Sequence, residues 1–500
     1  MTAANDDGRD LPVRSDRTDN SGDGGRRKTS GDGGRMSVGD GPIFGDGGRT
    51  SEPREVGGVD ESGDCGHAES GLPDRNTSVI PGVDESGDCG HAEGSADDGR
   101  SRGIVVVHYA ELGTKGKNRG FFVGVLRRNL RRALEGLPVE AIRSQHARVF
   151  IELRVPAEGI LRTEIARRLR AVMGIAHFAF AHRIIGRPLD RLAREALELA
   201  QREIARRPGI RTFAVETHRG DKTFPHKSPD VNRQVGSVIR EATGLAVDIR
   251  NADLVVFIEV LPDSLLLYAE REAGQRGLPV GASARVVSLL SSGIDSPVAS
   301  WRILARGCRV IYVHFHSVPF TRRASVDLTL ELVRQLAPYQ PRSEVYLVPF
   351  AEIQRKIAID APSSIRVILY RRWMLRLAQK VAEKVGARAL VTGDSIGQVA
   401  SQTVENLAAI EDAATLPVFR PLVATGKEEI MEMARRIGTY EISIQPYDDC
   451  CAYLMPNNPE TRVRMEVVRQ AEETLGPMTE LVWDALARAE RHVFPCVRAE

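Results

Sequence analysis

The heptapeptide SSGIDSP at Ser291–Pro297 constrains the fold more than any other stretch of the chain. It follows Arg285–Leu290, an apolar run of strand character, and leads into a helical pattern over Pro297–Arg306. A strand that turns so abruptly into a helix belongs to a strand–helix alternation with parallel pairing. Gly293 permits a tight turn with the backbone close to a ligand. Asp295 or Ser296 is placed to cap the helix, and Pro297 suits its first turn. N–H groups exposed at such a helix start favour phosphate. No GxxxxGK[ST] occurs, so the loop is not that of the common nucleotide triphosphatases.

The alternation continues downstream. Arg309–Phe315, Glu344–Val348 and Ala389–Thr392 read as strands, and Ser325–Leu336 and Ile365–Val385 as helices. Residues 285–495 are therefore expected to form one α/β domain with a parallel sheet and ligands at the C-terminal strand ends. Upstream, the periodicity predicts two small α+β units over 103–166 and 167–272, and glycine-rich 273–284 reads as a linker. Residues 1–102 are low in large apolar residues. GDGG recurs at Gly22, Gly31 and Gly45, and GVDESGDCGHAE occurs at Gly58 and Gly82. Such a tract cannot offset its ordering entropy and is expected to be disordered.

The net charge of +2 hides a polarity along the chain: the first hundred residues are acidic and glycine-rich, and the stretch from about 102 to 250 is rich in arginine and lysine. A basic region in a near-neutral protein points to a polyanion. Two segments suit RNA. LGTKGKNR offers Lys115, Lys117, Asn118 and Arg119 in a glycine-flanked loop for phosphate contacts. THRGDKTFPHKSPDVNR sets Arg219, Lys222, Lys227 and Arg233 around Phe224, a basic and aromatic mixture suited to structured RNA. The helix predicted over Phe121–Leu137 carries a further basic face of Arg127, Arg128, Arg131 and Arg132. Six cysteines in 500 residues do not make a disulfide framework and fit a reducing, cytoplasmic setting. No apolar run reaches the roughly 18 residues of a membrane span.

Five motifs in order, HYAELGTKGKNRGFF (His108–Phe122), SSGIDSP, HFHSVPFT (His314–Thr321), TGDSIGQVASQT (Thr392–Thr403) and PYDDCC (Pro446–Cys451), together resemble the ThiI family of tRNA 4-thiouridine synthetases. SSGIDSP itself resembles the SGGxDS PP-loop of N-type ATP pyrophosphatases. The resemblance covers about residues 103–490. It implies a ferredoxin-like domain, a THUMP RNA-binding domain and a PP-loop domain with a Rossmann-like sheet. Carried over motif by motif, it assigns ATP to Leu289, Leu290, Ser291, Gly293, Ser296, His314, Phe315, Arg371, Gly393 and Gln402. Asp295 is implied as an activating residue that orients Mg²⁺ and phosphate. The persulfide is implied on Cys450 or Cys451, although the neighbouring Asp448 and Asp449 would raise rather than lower a thiol pKa.

The implied reaction adenylates uridine 8 of tRNA and replaces its oxygen with sulfur from a cysteine desulfurase. A secondary role in thiamine sulfur supply, through a sulfur-carrier protein, and a homodimer are also implied. The chain ends near Glu500, which leaves no room for the rhodanese domain of some members, so sulfur is expected directly from the desulfurase. Cys451 or Cys496 would resolve the disulfide formed on turnover. Ser292 stands where the family usually has glycine. If that position needed positive φ, serine would cost on the order of 1 kcal/mol and weaken ATP binding, which motivates the rival reading of a tRNA-binding protein with an inactive PP-loop.

Overall fold

The computed structural model describes residues 102–109, 111–145, 147–446 and 458–496. The tail expected to be disordered lies, apart from Arg102, outside the described residues, as do Cys450 and Cys451.

The N-terminal part contains β1 (Ile104–His108), α1 (Arg119–Ala133), β2 (Val139–Gln145), β3 (Arg148–Leu153), α2 (Gly159–Ala171), β4 (His177–Ile185), α3 (Leu189–Arg206), β5 (Thr212–Arg219), α4 (Ser228–Thr243), β6 (Ala246–Val247), β7 (Leu254–Val260), β8 (Ser264–Tyr268) and β9 (Glu272–Ala273). Its strands form one sheet in the order β2-β3-β1-β4-β8-β7-β5-β6, with β9 paired to β4. The two α+β units share β4: residues 177–181 pair with β1 and residues 182–185 with β8. Alternation along each strand decides what each face buries. Val105 and Val107 of β1 meet Leu126 and Leu130 of α1 and Ile165 and Leu169 of α2. Val256 and Ile258 of β7 meet Leu192 of α3 and Val231 and Val235 of α4.

On the other face the two halves of the sheet pack together, with Ile104, Val106 and Phe150 against Leu261 and Leu266. A buried carboxylate locks this contact. Glu259 accepts from Tyr268 OH at 2.9 Å, and lies 2.5 Å from Arg148 Nε and 3.1 Å from His108 Nε2. Burial pushes the Glu259 pKa up, but His108 and Arg148 outweigh it and hold the group at about 2.

The C-terminal part contains β10 (Arg285–Leu289), α5 (Asp295–Leu304), β11 (Arg309–His316), α6 (Ala324–Leu336), β12 (Arg342–Pro349), α7 (Ala351–Asp360), α8 (Arg366–Val385), β13 (Leu390–Val391), α9 (Val404–Glu411), β14 (Val418–Phe419), α10 (Lys427–Arg436), α11 (Tyr440–Ser443), α12 (Met465–Leu475), α13 (Thr479–Ala487) and β15 (Glu490–Pro495). The sheet order is β14-β13-β10-β11-β12-β15. It is parallel as expected except for β15, which returns antiparallel along β12. Both faces are covered, as a parallel sheet requires. Val286, Val310 and Tyr312 pack under α5 and α6, whereas Val287, Ile311 and Val313 pack under α7 and α8. Helix α8 ends at Gly386, whose φ of 66° supplies the left-handed C-terminal turn.

The segment expected as a linker is strapped down. Arg276 exchanges backbone bonds with Gly174 and Ile175, Leu278 is 7% exposed in the N-terminal core, and Val280 is 2% exposed in the PP-loop core. Its glycines permit close approach rather than freedom: a Cβ on Gly274 would meet the Ile175 carbonyl at 2.4 Å.

Candidate active site

A cleft of about 350 Å³ opens at the C-terminal ends of β10, β11 and β13. Leu289, Leu290, Ser291, Asp295, Ser296, His314, Phe315, Arg371, Gly393 and Gln402 all line it; Gly293, on the same loop, does not. The loop is braced from within. Ser296 Oγ accepts from Ser291 N at 2.9 Å, donates to Ser291 O at 3.1 Å and lies 3.1 Å from Ser291 Oγ. Ser296 therefore does not cap α5, and neither does Asp295, which is the first helical residue. The N-cap is Ile294, with no side-chain bond to the first turn. An uncapped helix start with its N–H groups unspent fits phosphate better than the capped start expected from the sequence.

Ser292 is 1% exposed and donates to Ser325 O at 3.0 Å. Its backbone is not left-handed: Ala147 and Arg276 are the non-glycine residues with positive φ among those described. The expected strain at this position is absent, and the hydroxyl instead ties the loop to α6. Gly393 is a glycine for a packing reason. A Cβ there would meet Ser296 N at 2.8 Å, so the glycine lets the loop after β13 close against the start of α5.

Burial lowers the His314 pKa to about 4, leaving the ring neutral at pH 7. Nδ1 lies 2.9 Å from the Leu290 carbonyl, which can only accept, so Nδ1 carries the proton. Nε2 is then a lone-pair acceptor, and it is buried without a partner. Gln402 Oε1 is a second unpaired buried acceptor at the cleft. Two orphan acceptors call for a ligand that donates, such as an exocyclic amine of a base. Phe315 is 5% exposed and packs edge-on to Phe350, so its ring is mostly core and little of it is open to stack on a base.

Arg371 is not an unpaired cation awaiting phosphate. It donates to Asp394 and, at 3.3 Å, to Ser401 O. Asp394, 3% exposed, also accepts from Thr392 Oγ1 at 2.7 Å and Gln402 Nε2 at 3.3 Å, and lies 3.4 Å from Arg420 Nε. Burial would raise its pKa, but Arg371 and Thr392 outweigh this and keep it below the usual range. One carboxylate thus orients two guanidiniums, and Glu411, which pairs with Arg420, brings the group to charge balance. At the mouth, Asp295 accepts from Lys427 Nζ at 2.9 Å and Gln398 Nε2 at 3.2 Å. Among the described residues no cluster of three side chains could hold a metal alone. A Mg²⁺ here would fit as Asp295 plus phosphate oxygens.

Three family models match in chain order: the ThiI ferredoxin-like domain over residues 104–179, the THUMP domain over 187–270 and the thiamine biosynthesis protein ThiI over 281–476. A probable tRNA sulfurtransferase of Thermus thermophilus is 45% identical over 78% of this chain and 93% of its own length. Another, from Moorella thermoacetica, is 40% identical over 77% of this chain and 96% of its own. The chain belongs to the ThiI family of tRNA sulfurtransferases. A crystal structure of a 4-thiouridine synthetase in complex with RNA and ATP superposes with a TM-score of 0.71. It is 34% identical and covers 79% of this chain and 100% of that one.

The residues read from basic patterning as RNA contacts divide into two groups. Lys117, Asn118 and Arg119 are exposed on a turn at the start of α1, and Lys115 lies over the Phe122 ring at 5.5 Å. Lys222 and Lys227 are exposed beyond β5, and Arg219 donates to the Lys222 carbonyl at 2.6 Å. Phe224 is 4% exposed, packed in the core of the THUMP part under Arg187, and so cannot stack on a base as its setting suggested. Strand pairing sets β1 and β5 in opposite senses, so the two basic loops leave the sheet from opposite edges. Asp394, Gln398 and Lys427 were not singled out from the sequence. The first two lie inside TGDSIGQVASQT, where an acid and an amide beside the glycine were the available signal. Lys427 carries no local signal.

Proposed function

We propose that this ThiI family member uses ATP to transfer sulfur from a cysteine persulfide to uridine 8 of tRNA, forming 4-thiouridine through an adenylated uridine. The observation that carries the reading is the cleft: an uncapped helix start, two unpaired buried acceptors and the Arg371–Asp394 pair face one space. Adenine donates its amine to His314 Nε2 or Gln402 Oε1, and the phosphates lie toward the start of α5 and Arg371. Uracil O4 attacks the α-phosphorus, and pyrophosphate leaves. Lys427 and Asp295 position the departing phosphates. Bound Mg²⁺ would offset phosphate charge there.

The terminal sulfur of the Cys450 persulfide, or that of Cys451, attacks C4, and AMP leaves. The second cysteine then attacks the protein-bound sulfur, which breaks the S–S bond and frees 4-thiouridine. The resulting disulfide is reset by an external thiol, and a cysteine desulfurase supplies the next sulfur. Cys496 is poorly placed as the resolving thiol. It follows Pro495, which pairs with Arg342 at the start of β12, whereas the cleft lies at the strands' other ends. The family model's description as a thiamine biosynthesis protein supports a secondary role in sulfur supply to a thiamine carrier protein. We assign the reaction to the cytoplasm and to a homodimer. Among the described residues no helix is long and apolar enough to cross a membrane.

The rival of a tRNA-binding protein with an inactive loop loses its motive once Ser292 sits without strain. The test is mass spectrometry of tRNA nucleosides after incubation with ATP, Mg²⁺ and a persulfide donor. 4-Thiouridine at position 8 is expected, and its absence while tRNA remains bound would favour the rival.

A further inference from the structure

The edge of the PP-loop sheet opposite the cleft carries a feature that neither ATP nor sulfur chemistry uses. Arg285 and Arg309 stand in register at the starts of β10 and β11. The pairing of Ile311 with Glu344 brings Arg342 beside Arg309, and the pairing of Val287 with Leu390 brings Arg388 beside Arg285. Arg388, Arg285, Arg309 and Arg342 thus form one row across adjacent parallel strands, about 14 Å long at ~4.8 Å per strand. Like charges set side by side across a sheet are unfavourable. Counter-charge is sparse: Glu344 pairs with Arg342 at 3.2 Å and is shared with Arg491 at 2.7 Å. Among the described residues no carboxylate lies within ion-pair distance of Arg285, Arg309 or Arg388. Arg309 is half-buried, and burial together with Arg285 and Arg132 pushes its pKa down.

Arg132 leads away from the row. It lies in the last turns of α1, whose end meets Cys496 just past the pairing partner of Arg342. Arg128, Arg131 and Arg132 are exposed on that helix, and its first turn follows the basic turn at Lys117–Arg119. The helix has 15 residues, about 22 Å at ~1.5 Å each. Basic charge therefore stands at the turn at 117–119, is absent over 120–126, and resumes from Arg127 to the arginine row, a span far longer than any small anion. We propose that the row and the α1 face form a track for the phosphate backbone of the bound tRNA, remote from the reacting base. Guanidiniums suit phosphate because their paired N–H groups match its oxygens. The proposal rests on tRNA being the substrate.

The test is binding of full-length unmodified tRNA by the full chain over a range of KCl concentrations. Variants are R285Q/R309Q/R342Q/R388Q and, should that misfold by circular dichroism, R285Q/R388Q, whose side chains are exposed and have no carboxylate partner. The plot of log affinity against log salt should become shallower by about 3 to 4 in the quadruple variant and by about 1 to 2 in the double, since each lost phosphate contact removes roughly 0.7 to 0.9. ATP binding should be unchanged. A wild-type slope in a folded variant overturns the proposal. So does a wild-type slope with loss of sulfur uptake from the desulfurase, which would assign the row to an acidic protein. Wild-type protein that binds tRNA but makes no 4-thiouridine overturns the proposed activity and leaves the slope to decide the track.

Discussion

Asp394→Asn is the substitution with the most consequence for the cleft. The carboxylate is 3% exposed, and Arg371 and Arg420, with side chains 18% and 10% exposed, lie against it. Asparagine keeps the shape and one acceptor for Thr392 but removes the charge. Arg420 retains Glu411, whereas Arg371 keeps only the Ser401 contacts. Removing one partner of a buried pair costs about 3 to 5 kcal/mol; with Asn still accepting, about 3 kcal/mol is expected. At 2 to 4 °C per kcal/mol for a domain of this size, the melting temperature should fall by roughly 6 to 12 °C. All 3 tryptophans, Trp301, Trp373 and Trp483, lie in the PP-loop part, so fluorescence-monitored urea unfolding reports on it alone. ATP affinity should drop about tenfold, or ~1.4 kcal/mol, because Arg371 loses the group that aims it. In D394N/R371Q the stranded cation is gone, and the double variant should be about 1 to 3 kcal/mol more stable than the summed single costs imply. Additive costs within about 0.5 kcal/mol would refute the coupling, and with it the view that Asp394 positions Arg371.

Lys427→Ala removes the cation 2.9 Å from Asp295, and tRNA-dependent AMP formation should fall on the order of a hundredfold with tRNA affinity within about twofold; equal loss of binding would make the pair structural. Phe224→Ala should destabilise the THUMP part by about 3 to 5 kcal/mol as a core truncation, while Phe224→Leu should leave tRNA affinity intact in a gel-shift titration. Stability should also fall on acidification. His314 has its pKa depressed to about 4 in the folded state, so between its ordinary value of 6.5 and 4 only the unfolded chain takes up this proton. The resulting loss approaches about 3 kcal/mol by pH 4, and His314→Gln should flatten that part of the profile in urea melts at stepped pH.

What the sequence discloses is what lies close along the chain. The PP-loop sits between a strand and a helix that its own neighbours declare, and TGDSIGQVASQT lies at the end of a strand in the same sheet. Strand–helix alternation discloses the parallel pairing, but not the crossover from β12 to β13 or the antiparallel return of β15. The roles of single residues within those motifs were less legible, because they depend on what comes from elsewhere. Ser292 looked like a strained substitution until α6 brought the Ser325 carbonyl to its hydroxyl. Arg371 showed no partner in the sequence, and it is Asp394, 23 residues away, that aims it at the cleft. Phe224 looked exposed because its neighbours are charged, yet one aromatic ring among polar residues is as well explained by a loop anchored to the core.

The arginine row marks the limit of such reading. Arg285, Arg309, Arg342 and Arg388 are scattered through about a hundred residues, each the plausible polar start of an apolar strand. Nothing in their spacing resembles a basic motif. Only parallel register, which aligns the starts of successive strands, converts isolated flanking charges into a line. The same register gathers the C-terminal ends into the nucleotide cleft. A fold that builds its catalytic edge in this way necessarily builds a second aligned edge at the strand starts. Its sequence can therefore encode a surface there without a contiguous motif. Arginines at the starts of β10, β11 and β12 and just before β13 set that edge up for an extended anion, while the cleft is left to the nucleotide.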